Sequence, residues 1–146
     1  MALKNVIAFA LAAVLCVSAS VSVSAETTDS AFVDEAVPAY EIAKEASSKL
    51  RISGQTAYCT SYANGIDTVS ITVEQTLEKY SGFLWIWNDV NDASWTETVN
   101  KKTISVSKTK SGLSSGTYRL KSVFTLTDSN GKTETITVYS EEKAIP

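Results

Sequence analysis

From Leu50 onward, apolar side chains recur at every second position. Leu50 and Ile52 alternate with Arg51 and Ser53, and Ala57 and Cys59 share one side of the segment that follows. Val69, Ile71, Val73 and Leu77 alternate with Ser70, Thr72, Glu74, Thr76 and Glu78. Ile104 and Val106 alternate with Ser105 and Ser107. Tyr118, Leu120, Phe124 and Leu126 lie opposite Arg119, Lys121, Thr125 and Thr127, and Ile136 and Val138 alternate with Thr135, Thr137 and Tyr139. Successive side chains of a strand point to opposite faces, so a period of two predicts antiparallel strands with one face buried and one in water. With a further strand over residues 84–92, about seven strands are expected.

The punctuation between these runs fits an all-β chain. Asn64 with Gly65 and Asn130 with Gly131 are hairpin-turn dipeptides, because both residues reach positive φ cheaply. Ser81 with Gly82 and Ser115 with Gly116 mark two more turns. Near-regular turn spacing among about seven strands predicts a two-layer antiparallel β-sandwich, with a closed barrel as the alternative. The run Gly116, Thr117, Tyr118, Arg119, Leu120 resembles the tyrosine corner of immunoglobulin-like domains, whose tyrosine hydroxyl binds upstream backbone. In antibody domains a disulfide cysteine follows that tyrosine by two positions. Leu120 stands there in this chain, with Cys59 expected as its apolar neighbour across the core. The likeness bears on architecture and carries no function.

The first 49 residues differ. Residues 1–25 read as a secretory signal peptide: Lys4, an apolar run from Val6 to Val17, then Val23, Ser24 and Ala25 before Glu26. The apolar run is too short for a spanning helix of roughly 20 residues. Residues 26–49 are an acidic, Ala-rich lead-in or linker. Ala39, Ile42, Ala43 and Ala46 share a face at helical spacing behind Pro38, so a short, marginal helical piece is expected there. Residues 50–146 are then the β-sandwich domain.

Composition removes much chemistry. The chain has no histidine and two cysteines, and export would remove Cys16 with the leader. A Ser-His-Asp or Cys-His arrangement cannot be assembled, and zinc loses its ordinary ligands. The lone Cys59 is read as a small buried apolar residue. Thirteen basic residues stand against sixteen acidic ones, interspersed, for a net charge of −3. No basic stripe exists to follow a nucleic acid or dock on anionic lipid.

The run Phe83, Leu84, Trp85, Ile86, Trp87 breaks the alternation, since as a strand both of its faces would be apolar. One face would enter the core; the other must be covered by the lead-in, meet a partner, or lie exposed. Flat tryptophan faces also suit sugar rings. Trp85, Trp87 and, from a nearby loop, Trp95 are therefore the candidate ligand-binding residues. Asn88, Asp89, Asn91 and Asp92 concentrate oxygen ligands, but Ala93 breaks a calcium-loop pattern, and turn chemistry explains them better. Three Ser-x-x-Lys matches fall on strand or hairpin sequence, where Ser and Lys are not one helical turn apart. Asp89, Asp92 and Glu97 could pair for glycoside hydrolysis, yet nothing in the sequence forms a cleft around them. No catalytic residue, metal ligand or cofactor is assigned.

Over residues 50–140 the chain also resembles a family of small secreted proteins of unknown function from Gram-positive anaerobic bacteria. The resemblance rests on Ile52, Ser53 and Gly54; on Ala57, Tyr58 and Cys59; and on the run from Gln75 to Lys79. Gly116 to Leu120 and Glu134 to Thr137 complete it. It implies export and the sandwich fold and no activity. The expected role is a secreted, non-enzymatic binding or surface-interaction module, extracellular or held non-covalently at the cell wall. Its partner would be a protein or a cell-wall glycan, with no nucleic acid and no membrane insertion after signal cleavage. Carbohydrate binding by exposed tryptophans, or self-association as an envelope protein, are the alternatives.

Overall fold

The computed structural model describes residues 40–146, so the signal-peptide reading and most of the lead-in fall outside the described residues. Eight strands follow in order: β1 (Ala43–Ser53), β2 (Thr56–Gly65), β3 (Thr68–Ser81), β4 (Ile86–Val99), β5 (Thr103–Lys110), β6 (Gly116–Asp128), β7 (Thr133–Tyr139) and β8 (Lys143–Ile145). They form two antiparallel sheets. One has the order β1-β2-β5; the other has β4-β3-β6-β7, with β8 also pairing β6. The expected alternation holds along β6 and along β3 from Ile71, where every inward residue from Ile71 to Leu77 and from Tyr118 to Leu126 is buried; Val69, expected on the same face, is exposed because the register shifts between Thr68 and Ser70. The eighth strand, three residues long, is too short to show a period.

Two expectations need correction. The helical spacing of Ala39, Ile42, Ala43 and Ala46 does not give a helix in its described part: β1 begins at Ala43 and pairs with β2 along its whole length. A short alanine-rich helix is weak alone, and Ile42 and Ala43 bury more by joining the sandwich. The Glu134 carboxylate pins this entry, accepting the backbone N–H groups of Glu41, Ile42 and Ala43 at 3.0, 2.9 and 2.8 Å. Asn64 and Gly65, in turn, make no hairpin, since β2 and β3 lie in different sheets. Gly65 is needed for close approach instead: a Cβ there would lie 1.7 Å from Thr68 Oγ1. Asn130 and Gly131 do turn β6 into β7, with Gly131 at φ 81° and Asp128 Oδ1 accepting from the backbone of Asn130 and Lys132.

The core has two apolar halves separated by a polar layer. Ile71, Val73, Phe124 and Leu126 belong to one half, and Cys59, Leu77, Tyr118 and Leu120 to the other. Between them, Ser48 faces Ser61 across β1 and β2, and Gln75 faces Ser122 across β3 and β6. The four join in one relay. Gln75 Nε2 donates to Ser61 Oγ (2.6 Å), Ser61 and Ser122 share a bond of 2.6 Å, Ser122 donates to Ser48 (2.9 Å), and Ser48 to the Leu120 carbonyl (3.1 Å). All four residues are buried, so the relay satisfies hydroxyls that would otherwise be costly to remove from water.

Candidate functional site: the β3–β4 hairpin

The tip of the β3–β4 hairpin carries four consecutive exposed apolar side chains. Residues 82–85 form its turn, closed by the Trp85 N–H donating to the Ser81 carbonyl at 2.8 Å. Trp85 holds φ 57°, a left-handed conformation uncommon for a bulky residue. Phe83 is 91 % exposed, Leu84 58 %, Trp85 81 % and Ile86 45 %. Scattered exposed apolar residues are ordinary, but four in a row on one protrusion are not. The protrusion follows from the pairing. β3 stays bonded to β6 only as far as Lys79, whereas Tyr80 and Ser81 pair with Trp87 and Ile86 alone.

The strand expected over residues 84–92 is therefore half turn. Ile86 and Trp87 begin β4, while Phe83, Leu84 and Trp85 sit at the bend. The oxygen-rich stretch lies within β4 rather than in a loop. Thr76 faces Ser94 and Glu78 faces Asp89, so Val90, Asn91, Asp92 and Ala93 bulge opposite Leu77 alone. Asp92 takes φ 54° there. Among the described residues no three His, Cys, Asp or Glu side chains are grouped to hold a metal ion.

The three candidate tryptophans do not share a surface. Trp85 is at the tip. Trp87, opposite Tyr80, lies on the outer face of its sheet, and Trp95, opposite Gln75, lies on the inner face against the Leu77 half of the core. Trp87 is already engaged. Its ring packs on Tyr80 (centroids 5.3 Å apart), and the Arg119 guanidinium carbon sits 4.2 Å from it. Arg119 lies equally close, 4.2 Å, to the Tyr139 ring on β7, and its Nε bonds Glu78 Oε2 at 2.6 Å. Because β4 and β7 flank the β3–β6 pair in sheet order, Arg119 is held between two aromatic rings. The positive-φ bend at Trp85 and the arginine between the rings had no signal in residue order.

Elsewhere, a depression of about 770 Å³ crosses the three-stranded sheet, lined by Lys49, Arg51, Tyr58, Thr60 and Ser107, with Glu141 at its rim. Arg51 stacks on Tyr58 at 3.9 Å. Cys59 lies beneath, fully buried, and burial pushes its thiol up to about 12. A thiol so protonated is no nucleophile at neutral pH. The Tyr118 hydroxyl donates to the Ser114 carbonyl at 2.7 Å, an upstream backbone contact like that expected of a tyrosine corner.

No family model matches the chain, and no curated protein does. Among solved structures, two crystal structures of wild-type OgpA from Akkermansia muciniphila are similar to it. One has a TM-score of 0.39 at 13 % identity over 73 % of this chain; the other has 0.36 at 14 % over 71 %. The chain spans about a third of OgpA, 31 % and 32 % of that protein's length. Likeness at this level carries no inference about what the chain does.

Proposed function

We propose that this is an exported, non-enzymatic binding module of immunoglobulin-like type that attaches to a surface through the tip of the β3–β4 hairpin. One observation carries the proposal: the uninterrupted exposure of Phe83, Leu84, Trp85 and Ile86. These side chains add nothing to the core, and water disfavours them, so a partner that covers them accounts for their presence. Trp and Phe are also common energetic centres of recognition surfaces. The immunoglobulin-like reading draws on the three-stranded and five-stranded sheet orders and on the Tyr118 contact at the start of β6. A sugar platform built from Trp85, Trp87 and Trp95 together has no support in their placement on three different surroundings.

The test is retention of the exported chain on washed Gram-positive cells. Wild type is expected to stay bound, and a variant with Phe83→Ser, Leu84→Ser, Trp85→Ser and Ile86→Ser to wash off. Equal retention of the two, or of neither, overturns the proposal.

A further inference from the structure

Which surface the hairpin meets can be taken further, on the footing of the reading just given. We infer that the tip enters the headgroup region of a lipid bilayer. Polarity changes in order along the hairpin. Residues 80–88 carry no charge. Counting back from the turn, the cross-strand pairs are Ser81 with Ile86, Tyr80 with Trp87, Lys79 with Asn88 and Glu78 with Asp89. At roughly 3.4 Å per residue, the aromatic pair lies about 7 Å behind the turn. Counted along the backbone, Lys79 follows at about 10 Å and Glu78 at about 14 Å. Phe83, Leu84, Trp85 and Ile86 come first, the tilted Tyr80–Trp87 pair with the Arg119 guanidinium against Trp87 second, and Lys79 and Glu78 behind them.

A bilayer changes polarity along its normal in the same sequence. Interfacial segments bury their apolar parts by roughly 5–10 Å, and Trp and Tyr concentrate at the headgroup level. A protein cleft would accept the same four side chains but imposes no such order along the hairpin axis. The expectation of no membrane insertion rested on the want of a spanning run and of a basic stripe; an apolar turn needs neither.

The experiment is co-sedimentation of the exported chain with large unilamellar vesicles, of pure phosphatidylcholine and of phosphatidylcholine with phosphatidylglycerol. Wild type is expected to pellet with both, with a blue shift of tryptophan emission and quenching by lipid brominated in its acyl chains. Phe83→Ser with Leu84→Ser and Trp85→Ser should lower the partition coefficient at least tenfold. These positions face solvent, so an unchanged circular dichroism spectrum is expected and confirms folding. Because the tip is uncharged, raising salt from 0.1 to 0.5 M should leave binding to phosphatidylcholine in place. Vesicle binding that ignores the tip variant overturns the inference. So does no vesicle binding alongside tip-dependent retention on cells, which leaves the hairpin module standing with a protein or glycan as partner. Loss of both refutes the two readings together.

Discussion

Arg119 on β6 ties its strand to β3, β4 and β7 on the outer face of the larger sheet, and Arg119→Ala measures what that tie contributes. The guanidinium carbon is 4.2 Å from both the Trp87 and Tyr139 rings, and its Nε is 2.6 Å from Glu78. Each cation–π contact contributes about 0.5–1 kcal/mol when exposed, rising towards ~2 when desolvated. Glu78 retains 8 % side-chain exposure, so it depends on Arg119 in place of water. Removing a charged partner from a buried acceptor costs about 1–3 kcal/mol. Together these put Arg119→Ala at about 2–5 kcal/mol, well above a surface ion pair's ~0–1. Arg119→Lys keeps the charge but not the planar group that lies between rings, and should cost about 1–2 kcal/mol. Urea denaturation followed by tryptophan fluorescence gives both values. Adding Glu78→Gln to Arg119→Ala should recover part of the loss, since the carboxylate no longer needs a cation. A cost below about 0.5 kcal/mol for Arg119→Ala, or Lys performing as well as Arg, would refute this account.

Three further outcomes follow from particular contacts. Burial works against ionised Glu134, but the backbone N–H bonds from Ala43, Glu41 and Ile42 outweigh it and hold its carboxyl below the usual value. A lowered folded pKa means stability that is present above about pH 4.3, the unfolded value, and is lost as pH falls through the folded value. Denaturation midpoints of wild type and Glu134→Gln should therefore differ at pH 7 and converge near pH 2–3; a constant gap rejects the clasp. Gly65→Ala, placing a Cβ 1.7 Å from Thr68 Oγ1, should cost about 2–3 kcal/mol by overpacking. Gly54→Ala has open space around it and should cost only about 1 for its φ of 58°; equal costs would remove the steric argument. Finally, Cys59 should resist a thiol-reactive disulfide reagent at pH 8 until the chain is unfolded, and fast labelling of the folded protein would contradict its burial.

The strands were legible because alternation is a direct record of which side faces the core. The exceptions have physical causes. Asn64 and Gly65 carry a turn dipeptide, yet local residue preference does not determine whether the next strand joins the same sheet or the other. The spacing of Ala39, Ile42, Ala43 and Ala46 is helical, but ten paired positions between β1 and β2 outweigh a weak local preference. In the candidate site, Ser81 with Gly82 marked the turn, but its extension through Trp85 was not readable, because a tryptophan at positive φ contradicts ordinary turn chemistry. Ser48, Ser61, Gln75 and Ser122 hold inward positions, so on their own each looks like a break in the pattern. Only the pairing of β1 with β2 and of β3 with β6 brings them into one layer.

That layer makes a last prediction about how the two sheets find their register. Each hydroxyl in the relay has one donor and one acceptor, running from Gln75 through Ser61, Ser122 and Ser48 to the Leu120 carbonyl. Leu120 also receives the Ser140 N–H at 2.9 Å, so its carbonyl keeps a partner if Ser48 is lost. Ser61 has no such substitute. Ser61→Ala leaves Ser122 without its donor and takes one of the two acceptors of Gln75 Nε2, the Val106 carbonyl being the other, at a cost of about 1–3 kcal/mol. Replacing the whole layer, Gln75→Leu with Ser48→Ala, Ser61→Ala and Ser122→Ala, removes the needy groups together. It should cost less than the four single changes summed, by more than about 1 kcal/mol. Gln75 Oε1, buried with no partner, adds to that expectation, since Leu has no such atom to satisfy. Urea midpoints of the five variants decide it, with amide spectra of the fourfold variant showing whether one packing persists. Strict additivity would mean that the hydroxyls act singly, and that apolar packing on either side is what aligns one sheet upon the other.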